Sequence, residues 1–125
     1  MPQQDWTPQQ LSELADVEEL VLVLDSPDRP VLRVPVWPIV VGSDAYVRSY
    51  RGGTSGWYRR VLVNRDQAVA LSAGDRAVHF ESVDPAADVN AALDAEFLRK
   101  YATDDYRTAM VTPLALDATL RILPR

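Results

Sequence analysis

The chain has 125 residues, of which 47% are apolar and 25% charged, with a net charge of −5 and no cysteine. Those totals predict one folded domain over residues 1–125 and exclude a disordered, fibrous or disulfide-framed chain, along with any thiolate metal site. The longest purely apolar run, Leu20 to Leu24, is far short of a membrane span, and the opening MPQQDWTPQQ is neither basic nor apolar, so a cytoplasmic protein is expected.

Thr7, Pro8 and Gln10 make a helix start, with threonine as N-cap, proline in the first turn and glutamine closing a capping box, which predicts a short helix to about Asp16. ELVLVLDS (19–26) is a compact apolar run ended by Pro27 and Asp28, hence a buried strand and a turn. PVLRVPVWPIVVG (30–42) predicts a second strand in hairpin with the first, and Pro35 and Pro38 argue for an edge or a bulge. Alternation puts Arg33, Pro35 and Trp37 on one face, opposite Leu32, Val34 and Val36. A strand at 45–50 sends Ala45, Val47 and Ser49 one way and Tyr46, Arg48 and Tyr50 the other. Two neighbouring strands would then each offer an arginine and an aromatic ring on one face.

Gly52, Gly53 and Gly56 break that strand, and 55–64 predicts about two turns of helix ending near Asn64. Residues 67–83 read as a hairpin turning at SAGD. The strongest helix is 84–102, opened by Asp84 and Pro85, with Val89, Leu93, Phe97 and Tyr101 stacked at a spacing of four. Residues 117–124 alternate as a last strand. Six strands in antiparallel hairpins with helices between them predict a small closed barrel of the α+β class rather than a parallel α/β sheet.

Charge is unevenly placed. Residues 45–65 hold five arginines and no acid, so that segment is +5 while the remainder is −10. This pattern suits a local anion site, or a basic surface paired with the protein's own acids, better than a DNA-coating surface. The glycines would let a ligand approach the backbone, and free amides at a helix start near Ser55 and Trp57 suit a phosphate. Arg48, Arg51 and Arg59 would supply charge, while Trp57 and Tyr58 would flank a flat ring. The plainer alternative is a glycine-rich hairpin end with solvated arginines and core aromatics.

Other chemistry is sparsely represented. The one histidine, His79, falls with Glu81 on the polar face of its strand, opposite Val78 and Phe80, so a surface role is expected. The acid pairs Glu18/Glu19 and Asp104/Asp105 are adjacent and diverge on any regular element. No nucleophile stands beside a base, no cluster has metal-ligand spacing, and no catalytic residue can be named. Any reaction would therefore be carried by a bound cofactor.

The order RVPVW, YVRSYRGG, GWYRRVLVN and then a hairpin resembles the split β-barrel flavin-binding superfamily, in particular its deazaflavin-dependent nitroreductase branch, over roughly residues 19–83. The positions that carry the likeness are Ser49, Gly52, Gly53, Trp57, Tyr58 and Asn64. The resemblance implies a six-stranded split barrel with peripheral helices, a homodimer, and FMN or the deazaflavin coenzyme at the subunit interface. It places Ser49, Arg51, Gly52 and Gly53 by the phosphate or ring and Trp57 and Tyr58 beside the cofactor; Arg33, Trp37 and Arg48 are added by the strand-face argument. Arg65 stands where that branch carries proline, the loop before Trp57 is short, and the lysine-rich approach for a polyglutamylated tail is absent. The reading is thus an oxidoreductase passing a hydride to a small organic substrate. Its rivals are a non-enzymatic module with a degenerate pocket, a single-stranded nucleic-acid binder stacking bases on Tyr50, Trp57 and Tyr58, and a structural dimer.

Overall fold

The computed structural model describes residues 5–125. Its elements run α1 (Pro8–Asp16), β1 (Leu20–Ser26), β2 (Arg29–Val36), β3 (Ile39–Val41), β4 (Asp44–Arg48), α2 (Gly56–Val63), β5 (Asp66–Leu71), β6 (Gly74–Ser82), α3 (Val89–Lys100), α4 (Pro113–Leu116) and β7 (Thr119–Pro124). Short 3-10 turns occupy Gly52–Thr54 and Arg107–Val111. The capping box of α1 forms as its sequence requires: Gln10 N–H donates to Thr7 Oγ1 at 3.1 Å and Thr7 N–H to Gln10 Oε1 at 3.0 Å.

The strands form one antiparallel sheet in the order β2-β1-β5-β6-β7-β4-β3. There are seven strands rather than the six expected, because 30–42 is not one strand. Pro38 has no amide to give a ladder, so the strand breaks at Trp37 and Pro38. Its two halves lie at opposite edges: β2 pairs only with β1, and β3 only with β4. Val36 and Ile39 are three Cα steps apart and so no more than about 11 Å apart. The break therefore draws the ends of the two edge strands together and the sheet curls into a half-barrel, not the closed barrel expected, since β2 and β3 do not pair among the described residues.

Inside the curl, Leu20, Leu22, Leu24 and Val36 meet Val69, Val78, Phe80, Leu120 and Ile122, with Tyr58 and Val61 of α2 packed among them. Trp6 joins this cluster and donates its indole N–H to the carbonyl of Ile122 at 2.9 Å. A second cluster lies where α3 packs on β3, made of Ile39, Tyr46, Leu93, Phe97, Tyr101 and Met110. Strand β4 is covered on both sides, with Ala45 and Val47 in the first cluster and Tyr46 in the second.

Helix α3 begins at Val89, five residues later than the composition suggests. The Asp84 carboxylate instead accepts from the Ala86 N–H at 2.8 Å, a local turn that competes with the helical ladder. Its last turn holds the strand break in place. The rings of Trp37 and Tyr101 stack with centroids 4.0 Å apart and planes 5° apart. The Pro38 carbonyl accepts from Lys100 Nζ at 2.6 Å and from the Tyr101 hydroxyl at 3.0 Å, the latter shared with the Glu18 carbonyl at 2.9 Å. Lys100 also reaches the Leu14 carbonyl in the last turn of α1, at 3.3 Å, where a cation is favoured by the exposed carbonyls.

Burial pulls the Lys100 ammonium down to about 8 from 10.5, and pushes the phenols of Tyr101, Tyr46 and Tyr58 up from 10.0. Between pH 8 and 10.5 the unfolded chain keeps a proton that folded Lys100 has lost, so this group makes stability rise with pH. Above pH 10 the unfolded tyrosines ionise first, so their contribution falls with pH. Urea melts of the wild type and Lys100→Met across this range should differ by a rise starting near pH 8 in the wild type alone. Parallel curves would refute it.

Candidate functional site

A cleft of about 530 Å³ opens where four segments meet: the end of β2 (Pro35, Val36, Trp37), the turn after β4 (Tyr50, Arg51), the start of α2 (Trp57) and the stretch after α3 (Tyr106, Met110). Glu19 stands at its edge and Arg48 at its floor. The size suits a small-molecule site, and the walls combine two indoles and two phenols with a few polar groups. Trp37, Arg48, Arg51 and Trp57 were expected from sequence and are brought together here.

Arg48 is the least ordinary of them. It is 1% exposed, and its guanidinium is held by groups from three other elements. Nε donates to Thr119 Oγ1 at 2.9 Å, one terminal nitrogen to Asp94 Oδ1 at 2.5 Å and the Met110 carbonyl at 2.9 Å, and the other to Asn90 Oδ1 at 3.1 Å. The Phe97 ring lies 5.4 Å from its carbon. Four of the five N–H donors are thus committed to the protein, and the residue supports the cleft from beneath.

The turn above it is built by Ser49 and Gly52. The Ser49 N–H bonds the Ala118 carbonyl at 3.1 Å, its hydroxyl donates to the Gly52 carbonyl at 2.9 Å, and the Gly52 N–H returns to the Ser49 carbonyl at 2.9 Å. Gly52 has φ +67°, and a Cβ there would meet the Leu114 carbonyl at 3.2 Å, so both conformation and packing require glycine. Around Gly53 and Gly56 the corresponding space is open. Arg51 is exposed; its Nε donates to the Tyr50 hydroxyl at 3.0 Å, and its terminal nitrogens have no partner among the described residues.

The remaining expected residues lie elsewhere. Arg33 and Arg48 do not sit on neighbouring strands, since β2 and β4 are separated by most of the sheet, and Arg33 instead faces Asp75 at 3.6 Å. Tyr58 is 7% exposed in the core, where burial raises its phenol pKa, and it meets Trp57 edge-on at 6.0 Å. Ser55 is the N-cap of α2 but makes no side-chain cap bond, leaving the first-turn amides without one. Arg59 is outside the cleft. His79 lies on the partly exposed face of β6, 2.7 Å from Asp66. Glu19, read from sequence only as one of an adjacent, diverging acid pair, lines the cleft; Tyr106 and Met110 were not picked out, and only the isolated aromatic in the polar run ATDDYRTAM marks that stretch.

Residues 10–122 match DUF2255, described as an uncharacterized protein conserved in bacteria. The chain belongs to this family. No curated protein matches it. Among solved structures, ChuZ of Campylobacter jejuni is similar over 93% of this chain with a TM-score of 0.68 and 11% identity. The chain spans about half, 51%, of the length of ChuZ. An FAD- and heme-binding protein of Mycobacterium smegmatis is similar over 98% of this chain and 67% of its own, with a TM-score of 0.56 and 20% identity. A putative pyridoxamine 5′-phosphate oxidase of Corynebacterium glutamicum covers 100% of this chain and 91% of its own, with a TM-score of 0.51 and 18% identity. These likenesses support the fold class, α+β with a curled antiparallel sheet, a half-barrel of seven strands among the described residues.

Arg48→Met strands the buried Asn90, Thr119 and Met110 acceptors and should cost about 3 kcal/mol in denaturant melts, the low end for breaking a buried pair because Asp94 is 41% exposed. A near-neutral result would mean that the guanidinium does not tie these elements together. Gly52→Ala should cost at least about 1–2 kcal/mol from the left-handed backbone alone, whereas Gly53→Ala, without positive φ, should cost under about 1 kcal/mol.

Proposed function

We propose that the protein binds FMN or the deazaflavin coenzyme in the cleft between Trp37 and Trp57 and works as a cofactor-dependent oxidoreductase on a small organic substrate. The observation that carries this reading is the gathering of two indoles and two phenols around one exposed cation, Arg51, whose terminal nitrogens have no partner among the described residues. Flat rings stack on such walls, and a planar guanidinium holds a phosphate by paired hydrogen bonds. Trp37, Trp57, Tyr50 and Tyr106 would hold the ring. Arg51 and the uncapped amides at the start of α2 would hold the phosphate, with the open space over Gly53 admitting it.

When bound, such a cofactor supplies hydride transfer. The chain's own contribution is to stack the ring, fix the phosphate and exclude water. The phenols of Tyr50 and Tyr106 and the carboxylate of Glu19 are the groups placed to hold or pass a proton at a substrate, a role Tyr58 lacks because it lies in the core. Arg48 acts as a positioning residue beneath the cleft. The shared fold with a putative pyridoxamine 5′-phosphate oxidase and an FAD- and heme-binding protein supports a flavin-type ligand, and the motif order favours the deazaflavin nitroreductase branch. We further read the chain as a cytoplasmic homodimer. Tyr50 and Tyr106 are 52% and 76% exposed at the cleft, and Leu114, beside Gly52, is 61% exposed, surface that a second copy would cover.

Titration of the purified protein with FMN and with the deazaflavin coenzyme, read by tryptophan fluorescence, should give micromolar binding to one of them. Arg51→Ala should weaken it roughly 10- to 100-fold, the size of a lost charge-assisted hydrogen bond, while Arg33→Ala leaves it unchanged. Binding of neither flavin, or tighter binding of a single-stranded oligonucleotide, would overturn the reading.

A further inference from the structure

On the other side of α2's first turn lies a second cleft, of about 430 Å³, between the β1–β2 turn and the helix. Arg29, Arg59 and Arg60 line it, with Asp28 and Ser26, and Gly56 borders it while the next residue, Trp57, borders the first cleft. We propose that this cleft is a separate oxyanion site that takes the phosphate monoester of a small molecule.

The distribution of partners across the chain's arginines supports this. Arg33, Arg48, Arg99, Arg121 and Arg125 each lie within 4.0 Å of a carboxylate. Arg60, Arg65, Arg76 and Arg107 bond carbonyl or hydroxyl oxygens, and Arg51 bonds a phenol. Arg29 and Arg59 alone have neither an ion pair nor a side-chain hydrogen bond among the described residues, and both face the same cleft. In a chain of net charge −5 carrying eighteen acids, two exposed arginines on one cleft without a carboxylate partner leave its charge open to an anion from outside. Asp28 lines the same cleft, yet none of the three arginines comes within 4.0 Å of its carboxylate among the described residues.

Arg60 adds a fixed donor. One terminal nitrogen is anchored to Ser26 Oγ and the Pro30 carbonyl, both at 3.2 Å, and to the Leu24 carbonyl at 3.3 Å. Its Nε is buried and has no hydrogen-bond partner among the described residues. Arg121 Nε is also unpartnered, but Glu81 and Asp44 already neutralise that guanidinium. The other terminal nitrogen of Arg60 makes no hydrogen bond among the described residues and is the donor it offers an acceptor in the cleft. Three planar guanidiniums around one small space match the several oxygens of a dianionic phosphate.

A long polyanion fits less well. The segment 45–65 carries +5 but is surrounded by −10 elsewhere, which opposes a nucleic-acid backbone beyond the first phosphate. No aromatic ring lines the cleft, so bases have nothing to stack on. Recognition rests on the phosphate and not on the group that bears it.

The test is titration of the whole chain with inorganic phosphate and ribose 5-phosphate, with sodium chloride at matched ionic strength as control, read by thermal shift and amide chemical shifts. Both phosphates should bind, perturbing Gly56, Arg59 and Arg60, and the exposed pair Arg29→Ala/Arg59→Ala should bind at least about tenfold more weakly. Read at the Arg59 and Arg60 signals, Arg51→Ala should respond as the wild type does, whatever phosphate it loses at the first cleft, which separates the two sites. The proposal is overturned if phosphate has no effect beyond chloride or if the double variant responds as the wild type does. It fails equally if Arg51→Ala abolishes the response, or if a single-stranded oligonucleotide binds more tightly than ribose 5-phosphate.

Discussion

The break at Trp37 and Pro38 is the constraint on which the architecture turns. One stretch of chain supplies both edge strands of the sheet, and two residues join them. A seven-stranded antiparallel sheet could remain an open, twisted layer, but a link this short leaves it no such freedom. The curl creates an enclosed interior for Leu20, Leu22, Leu24 and Phe80, and sets the first cleft beside the break itself.

Such a break needs a brace, and α3 provides it. The Trp37–Tyr101 stack fixes the ring, and Lys100 and Tyr101 satisfy the Pro38 carbonyl at the point where the ladder is interrupted. Trp37 therefore has two duties, as part of the brace and as a wall of the cleft. Helix α2 has a comparable position between two concave surfaces. Its buried face, Tyr58 and Val61, packs in the barrel, while its start separates the aromatic cleft from the arginine-lined one.

Much of this was legible in the sequence, where local signals suffice. Thr7, Pro8 and Gln10 marked the start of α1, the apolar run at 19–26 marked β1 as buried, and alternation gave the inward face of β2. Pro38 announced a bulge or an edge, and the structure makes it a break between two edges, which depends on pairing partners that no local pattern encodes. The polarity of Arg48 was misleading: a lone arginine on a strand reads as a ligand for solvent or substrate. Its partners Asn90, Asp94, Met110 and Thr119 lie 42 to 71 residues away, beyond any window of periodicity. Glycine 52 was singled out for closeness to a ligand, yet what approaches it is Leu114. Glu19 and Tyr106 reached the cleft unannounced because they sit in connecting segments, whose direction is decided by what they connect.

The burial of Arg48 also bears on the order in which the barrel assembles. Strand β4 can zip onto β3 as soon as both exist, but its arginine cannot leave water until α3, the turn at 107–111 and β7 have all arrived to receive it. A guanidinium dehydrated early would stand uncompensated in a half-formed core. These contacts span 42 to 71 residues, the long-range kind that a chain forms slowly, and wherever they are missing a hydrated cation stands in place of a solid floor.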